Sequence, residues 1–245
     1  HSGRSQVASA ERQGMSVRKF RCDILDRTEP GAEVTLDRSE ETHLFKILRA
    51  TPGDVVELLD GCGRIASAEV RPRRTLVIRD IRTLEPPARH VHLYIAPPRR
   101  QKMDSILREA TELGVWRIVP MVCEFSVSEP DASSVAGRWA DAMFEACKQS
   151  GNVFLPQTSA PLPFAAAVAD AVSCCDELRY GSPNATEPGA DTAADVAWFV
   201  GPEGGFSDAE EQKLIEAGAK PLRIGRWILR VETAAVAGIV KLTEI

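Results

Sequence analysis

Val196-Ala197-Trp198-Phe199-Val200-Gly201-Pro202-Glu203-Gly204-Gly205-Phe206 is followed shortly by Ile224-Gly225-Arg226-Trp227-Ile228-Leu229-Arg230-Val231-Glu232-Thr233-Ala234. Each stretch reads as a short apolar strand, a glycine-bearing turn and a helix, the arrangement that brings bare backbone N–H groups up to a ligand. Two such loops close together in sequence point to one pocket. Gly201, Gly204, Gly205 and Gly225 admit close backbone approach, so main-chain groups can meet a ligand without side-chain obstruction. Ordinary turn or helix glycines would account for some of them. Val200, Ile224, Ile228 and Leu229 supply apolar surface, either to that pocket or to the core.

Upstream of these loops, strands and helices alternate. His90–Ala96 and Trp116–Val122 read as strands, Lys102–Leu113 as a helix closed by Gly114, and Ser134–Ser150 as a helix closed by Gly151. A further helix is expected around Phe164–Ala169, a strand near Cys174–Tyr180 and a loose connection over Thr186–Ala194. The alternation predicts an α/β domain with a mostly parallel sheet over residues 89–245. Before Glu85-Pro86-Pro87-Ala88 the rhythm differs. Glu33–Leu36, Val55–Leu58, Ile65–Val70 and Leu76–Ile78 are strand-like, with turns at Pro52-Gly53-Asp54 and Asp60-Gly61-Cys62-Gly63. Between them, Leu44, Ile47 and Leu48 give Glu40–Ala50 a helical spacing. Residues 15–88 are therefore expected to form a small β-barrel. Residues 1–14 are polar and patternless and read as a tag or disordered leader before a start at Met15.

The chain has 245 residues, 44% of them hydrophobic, and no apolar run approaches the roughly 18–20 residues that span a bilayer. A soluble protein without a membrane partner is expected. Six cysteines without a Cys-x-x-Cys pair, and no secretory leader, suggest a reducing cytoplasm. The net charge of −5 argues against coating nucleic acid by charge alone. Lys and Arg balance Asp and Glu over residues 15–88, so the acidity sits in the C-terminal part. Locally, Arg64, Arg71, Arg73, Arg74, Arg79 and Arg82 accompany only Glu69 and Asp80, an excess able to contact phosphates or simply to protect a strand edge.

Several chemistries fall away. No Lys-Ser or Lys-Thr follows the glycines, as a nucleotide-hydrolysing phosphate loop requires, and the dinucleotide spacing Gly-x-Gly-x-x-Gly is absent. A serine hydrolase would carry Gly-x-Ser-x-Gly, which does not occur. His90 and His92 share one strand face as metal ligands do, but the sequence offers no evident third or fourth ligand, and no metal is expected.

The two loops, together with Ser207 and Glu210, resemble those of the small-subunit ribosomal RNA uridine N3-methyltransferase family. His43-Leu44, Ile47-Leu48-Arg49, Gly53-Asp54, Asp60-Gly61-Cys62-Gly63, Lys102 and Thr111-Glu112-Leu113-Gly114-Val115 extend the resemblance, in order, from about Met15 to the C-terminus. The resemblance implies a PUA-like RNA-binding barrel followed by a SPOUT methyltransferase domain with a deep C-terminal trefoil knot. It further implies S-adenosylmethionine bound by the knotted loops, a homodimer with its site near the subunit interface, and 16S ribosomal RNA of the assembled small subunit as substrate.

Within that frame Arg230 is the expected catalytic residue, a fixed cation able to stabilise the uracil anion formed as N3 loses its proton. A structural role, holding its loop through Glu203 or Glu232, is the alternative. Glu203 and Glu232 are expected to organise the site or, with a raised pKa or a water relay, to accept the proton. Thr233 is placed at the opening of the last helix as a cap or ligand contact. Cofactor contacts are expected at Val200, Gly201, Glu203, Gly204, Gly205, Ile224, Gly225, Ile228, Leu229, Arg230 and Thr233. Candidate RNA contacts are Arg18, Lys19, Arg49, Arg64, Arg71, Arg73 and Arg74 in the barrel, and Arg99, Arg100 and Lys102 beside the cofactor domain. The chain departs from the family pattern at Phe125, where arginine is expected, at Lys148 and Asn152, where an acidic residue and arginine are expected, and at Val231, which replaces threonine. These departures leave open a different RNA target, or a non-catalytic RNA-binding assembly factor.

Overall fold

The computed structural model describes residues 17–183, 185 and 193–243. The expected leader over residues 1–14, the start at Met15 and most of the Thr186–Ala194 connection lie outside the described residues. The chain divides into two compact units, His1–Pro86 and Pro87–Ile245.

The first unit is built on a five-stranded sheet in the order β1-β3-β4-β5-β2. Its strands are β1 (Lys19–Arg21), β2 (Glu33–Val34), β3 (Val55–Leu59), β4 (Arg64–Arg71) and β5 (Thr75–Thr83). All neighbours are antiparallel except β1 and β3. Alternation along β3 and β4 sends Val56, Leu58, Ala66, Ala68 and Val70 inward to meet Phe20, Leu25, Leu44 and Leu76. β5 runs longer than Leu76–Ile78, so Arg79 and Arg82 are strand residues. The expected Glu40–Ala50 helix begins earlier, as α1 (Arg38–Thr42), because the Asp37 carboxylate accepts from the amides of Ser39 and Glu40 at 2.7 and 2.9 Å. It then widens into a π-turn over His43–Ile47, closed by Leu48 N–H to His43 C=O at 3.0 Å.

The second unit is a parallel sheet in the order β12-β10-β11-β6-β7-β8, with β9 also pairing β7. Its strands are β6 (His90–Ile95), β7 (Arg117–Val122), β8 (Gln157–Thr158), β9 (Leu162–Pro163), β10 (Glu177–Gly181), β11 (Asp195–Val200) and β12 (Lys220–Leu222). The helices are α2 (Arg100–Glu112), α3 (Ala140–Ser150), α4 (Phe164–Cys174), α5 (Asp208–Glu216) and α6 (Val231–Thr243). The expected helix over Ser134–Ser150 is divided, since a wide turn at Val135–Trp139 precedes α3, and Gly151, at φ 84°, ends it. α4 continues through Cys174, so the expected strand starts only at Glu177.

Both sheet faces are covered, which explains why β6 and β11 read as nearly unbroken apolar runs. Val91, Leu93, Ile95, Val196, Trp198 and Val200 point toward α2, α3 and α6. Tyr94, Ala96, Ala197 and Phe199 point toward α4 and α5. The central contact of the first face is between Trp198 and α6. Gly238 lies so close to the indole that a Cβ there would overlap it, and the indole N–H donates to Ala234 C=O at 3.3 Å. Glycine in mid-helix sacrifices intrinsic helix stability here to let the helix seat on the strand.

Gly238→Ala therefore tests this packing. Helix propensity alone would stabilise the variant by about 1 kcal/mol. Overlap with Trp198 should reverse the sign and destabilise it by about 1–3 kcal/mol in urea unfolding. A stabilised variant would contradict the packing.

Candidate functional site

The carboxyl ends of parallel strands are where open α/β sheets bind ligands. Here β6 ends at Ile95, β7 at Val122 and β11 at Val200, and Ala96 N–H bonds Val200 C=O at 3.0 Å, holding the exits of β6 and β11 together. After β11, Gly205 adopts φ 80° and its N–H closes a turn onto Pro202 C=O at 2.9 Å. A Cβ at Gly201 would come within 3.3 Å of the Phe206 ring, and one at Gly204 within 3.1 Å of Phe125. Phe125, the departure from the expected arginine, thus packs against the first glycine loop while staying 46% exposed.

The loop is anchored by Glu210, a buried carboxylate that closes the first motif. Ser207 and Glu210 form a reciprocal capping box at the start of α5. Glu210 also accepts from Glu124 N–H at 2.8 Å, tying the segment after β7 to the same helix start. Burial and the neighbouring Glu210 push the Cys123 thiol up to about 12.

The second loop follows β12, whose strand lies at Lys220–Leu222 and ends two residues before Ile224. Ile224 packs on the edge of the core, a Cβ at Gly225 would meet Leu229 at ordinary contact distance, and Trp227 and Ile228 are largely exposed. Arg223, which sequence reasoning missed, holds this loop from within. Its guanidinium donates to Gly225 C=O at 3.0 Å and Arg226 C=O at 3.3 Å, while Lys241 from α6 donates to Arg223 C=O at 2.9 Å. Arg230 is exposed at the foot of α6, its C=O accepting from Ala234 N–H at 2.8 Å. The helix begins at Val231, so Thr233 lies inside its first turn and is not its cap.

Lys102 joins the two loops. It sits in the first turn of α2, just past β6, with its ammonium 3.3 Å from Glu232 and 4.0 Å from Glu203. Although expected among the RNA contacts, it is engaged with both carboxylates. Partial burial raises the Glu232 carboxyl, but its own backbone N–H, Lys102 and then Arg230 outweigh that and hold it below its ordinary value. Beside this triad, Gln101, Ser105, Thr233 and Val236 line a groove of about 510 Å³ between α2 and α6.

Several other expected RNA contacts already have acidic partners. Lys19 lies 3.6 Å from Glu57, Arg71 lies 3.4 Å from Glu69, and Arg74 lies 3.0 Å from Glu41. Arg82 also reaches Glu57, so the local acids are more numerous than Glu69 and Asp80. Arg64 donates to Leu25 C=O at 2.9 Å, a structural bond. Arg18, Arg49, Arg73, Arg99 and Arg100 are exposed. Among the described residues, positive φ outside glycine occurs only at Arg49, Arg73 and Arg74. Asn152 spends its side chain on the fold, donating to Thr111 C=O and accepting from Phe154 N–H, each at 2.9 Å.

An open α/β fold with two glycine loops at the carboxyl edge of its sheet is the frame of a group-transfer enzyme. Residues 85–242 match the family model described as an RNA methyltransferase domain, and the chain belongs to that family. It is 29% identical to ribosomal RNA small subunit methyltransferase E of Synechocystis sp., over 87% of this chain and 74% of that relative. It is equally 29% identical to the protein of that name from Mycobacterium bovis, over 90% of this chain and 88% of that one. Among solved structures, ribosomal RNA small subunit methyltransferase E from Neisseria gonorrhoeae, bound to S-adenosyl methionine, superposes with a TM-score of 0.81 at 27% identity, covering 91% of this chain and 95% of that one. A Legionella pneumophila structure shares the fold at a TM-score of 0.82 and 24% identity, covering 93% and 97% of the two chains. No helix among the described residues is long and apolar enough to cross a membrane.

The Glu232–Lys102 contact predicts a pH signature. A depressed carboxylate adds stability that is complete above its ordinary 4.5 and is lost as pH falls through the lower folded value. In Lys102→Met the Glu232 value should rise toward 4.5, so the fall in unfolding free energy below that pH should become shallower. Identical acid slopes in urea titrations of parent and variant would show that Lys102 does not hold the carboxylate.

Proposed function

We propose that this chain methylates N3 of uracil 1498 in 16S ribosomal RNA, using S-adenosylmethionine as the methyl donor. The observation that carries the reading is the convergence of both glycine-loop segments on Lys102, in a chain belonging to an RNA methyltransferase family. Relatives named for the small ribosomal subunit, one of them solved with S-adenosyl methionine, support the substrate and the cofactor.

The residues present suit that cofactor. Gly205 leaves open space where a side chain would stand, and Ile228 on the second loop offers exposed apolar surface. Glu232 Oε2, 3.3 Å from the Lys102 ammonium, keeps lone-pair capacity to accept from a ligand hydroxyl as well. Val200, Gly201, Gly204, Ile224, Gly225, Leu229, Glu203 and Thr233 are the further contacts assigned to the cofactor in this reading. S-adenosylmethionine supplies an electrophilic methyl on a sulfonium. The chain's own task is to hold the uracil nitrogen in line with it and to favour the deprotonated nitrogen. Arg230, exposed at the start of α6, is the group assigned to stabilise that anion at the uracil carbonyl oxygens. Lys102 holds the Glu232 carboxyl below its ordinary value and lies 4.0 Å from Glu203, which favours an organising role for both over proton acceptance.

The first unit is read as a PUA-like RNA-binding barrel, with Arg18, Arg49 and Arg73 its free cations toward phosphate and Lys19, Arg64, Arg71 and Arg74 held by the fold. Arg99 and Arg100 serve the same end at the start of α2. The return of the chain from β12 to α6, packed over β6 and β11, supports a trefoil-knotted SPOUT domain. A cytoplasmic homodimer acting on the assembled small subunit completes the reading, with the groove between α2 and α6 adjoining the site. Phe125 against Gly204 favours keeping one second reading, the same chemistry on a different RNA.

Arg230→Ala should keep the fold and cofactor binding by calorimetry, while lowering transfer of labelled methyl to unmodified small subunits by about 10²–10³. Undiminished transfer would remove the assigned role.

A further inference from the structure

The opposite edge of the parallel sheet, at the amino ends of its strands, carries a polar cluster that methyl transfer does not use. His92 in β6 is 6% exposed, and its Nε2 lies 2.9 Å from Asp195 Oδ1 at the start of β11. The other ring nitrogen, Nδ1, is buried and has no hydrogen-bond partner. Such a nitrogen is costly unless something satisfies it. Next to the ring, where α4 ends, stand Cys174 and Cys175, both reduced. A His92 ring nitrogen and the two Sγ atoms lie within 4.8 Å of one another.

We propose that His92, Cys174 and Cys175 form a binding site for a thiophilic d¹⁰ cation, with Zn²⁺ as the ion that fits the donor set. The two sulfurs are 3.6 Å apart. Tetrahedral zinc with Zn–S bonds of about 2.3 Å holds two thiolates about 3.8 Å apart, so the sulfurs already have the required spacing. A His92 ring nitrogen within 4.8 Å of both sulfurs completes the triangle, which side-chain adjustment tightens to a Zn–N bond of about 2.0–2.1 Å. Two thiols give up their protons as the ion binds, and two thiolates then balance its double charge. Cys174 is exposed, which provides an entry path and leaves a fourth position to water.

The surroundings have the form of an outer shell. Asp195 accepts from His92 as carboxylates do behind metal-bound imidazoles, and it also contacts His90 Nδ1 at 3.1 Å. Arg117 Nη1, 3.7 Å from Cys174 Sγ, is a donor toward a thiolate, while Tyr94 OH, 3.4 Å from that sulfur, gives its one proton to Asp170. Asp170 fixes both, at 2.6 Å from Tyr94 OH and 2.7 Å from Arg117 Nη1, so the arginine charge is compensated beside the site. The ligands come from β6 and from the end of α4, so an ion would pin that helix to the sheet.

The test is a Zn²⁺ titration of reduced, chelator-stripped full-length protein against a chromophoric competitor, with Cd²⁺ added separately to read thiolate-to-metal charge transfer in the ultraviolet. One tight equivalent per chain with the Cd²⁺ band is expected. Cys174→Ser/Cys175→Ser and His92→Ala should each remove it, and Asp195→Asn should weaken it by roughly 10–100-fold. Cys62→Ser, an exposed thiol elsewhere, should change nothing. If His92→Ala unfolds the chain, the double serine variant and Asp195→Asn decide. An equivalent that survives in the double serine variant overturns the proposal. So does a reduced protein that takes up no zinc and only forms a Cys174–Cys175 disulfide in air.

Discussion

The seating of α6 on Trp198 is the contact on which the site depends. β12 lies at the edge of the parallel sheet and β11 near its centre, so a chain leaving β12 has no local reason to return inward. The absence of a side chain at Gly238 permits the return, and the indole N–H bond to Ala234 fixes the register. That placement puts the first turn of α6, with Arg230 and Glu232, beside the loop that leaves β11. Without it the two glycine loops would sit on strands separated by β10.

Lys102 then turns proximity into an electrostatic arrangement. Its contacts with Glu203 and Glu232 are partly solvated, and exposed pairs of this kind contribute little to stability. Their consequence is geometric and chemical. Two carboxylates from different loops share one cation, and Arg230 stands exposed beside them. Glu210 does comparable work on the far side of the first loop, where one buried carboxylate orders the segment after β7 and the start of α5 together.

Much of this was legible in the sequence, for identifiable reasons. Gly114 and Gly151 mark helix ends, and the unbroken apolar runs at β6 and β11 betray strands buried on both faces. The glycine clusters marked the loops because bare backbone is rare enough to signal close approach. What could not be read were pairings between distant residues. Lys102 looked like a solvated phosphate contact until the fold set it between Glu203 and Glu232. Arg64 and Arg74 looked free until Leu25 C=O and Glu41 came to them. His92 lacked further ligands in sequence because Cys174 and Cys175 reach it only through the return of α4 to the sheet. Short strands such as β8, β9 and β12 carry too few residues for a period to show, and the helix starts at α1 and α3 were displaced by a cap and by a wide turn.

Loops that position a uracil nitrogen for methyl transfer should act when the protein is incubated with labelled S-adenosylmethionine and small ribosomal subunits lacking the mark, and the product nucleoside is mapped by mass spectrometry. N3-methyluridine at uracil 1498 is the expected product. Methyl incorporated at another base or at a ribose oxygen, or none with cofactor still bound, would contradict it.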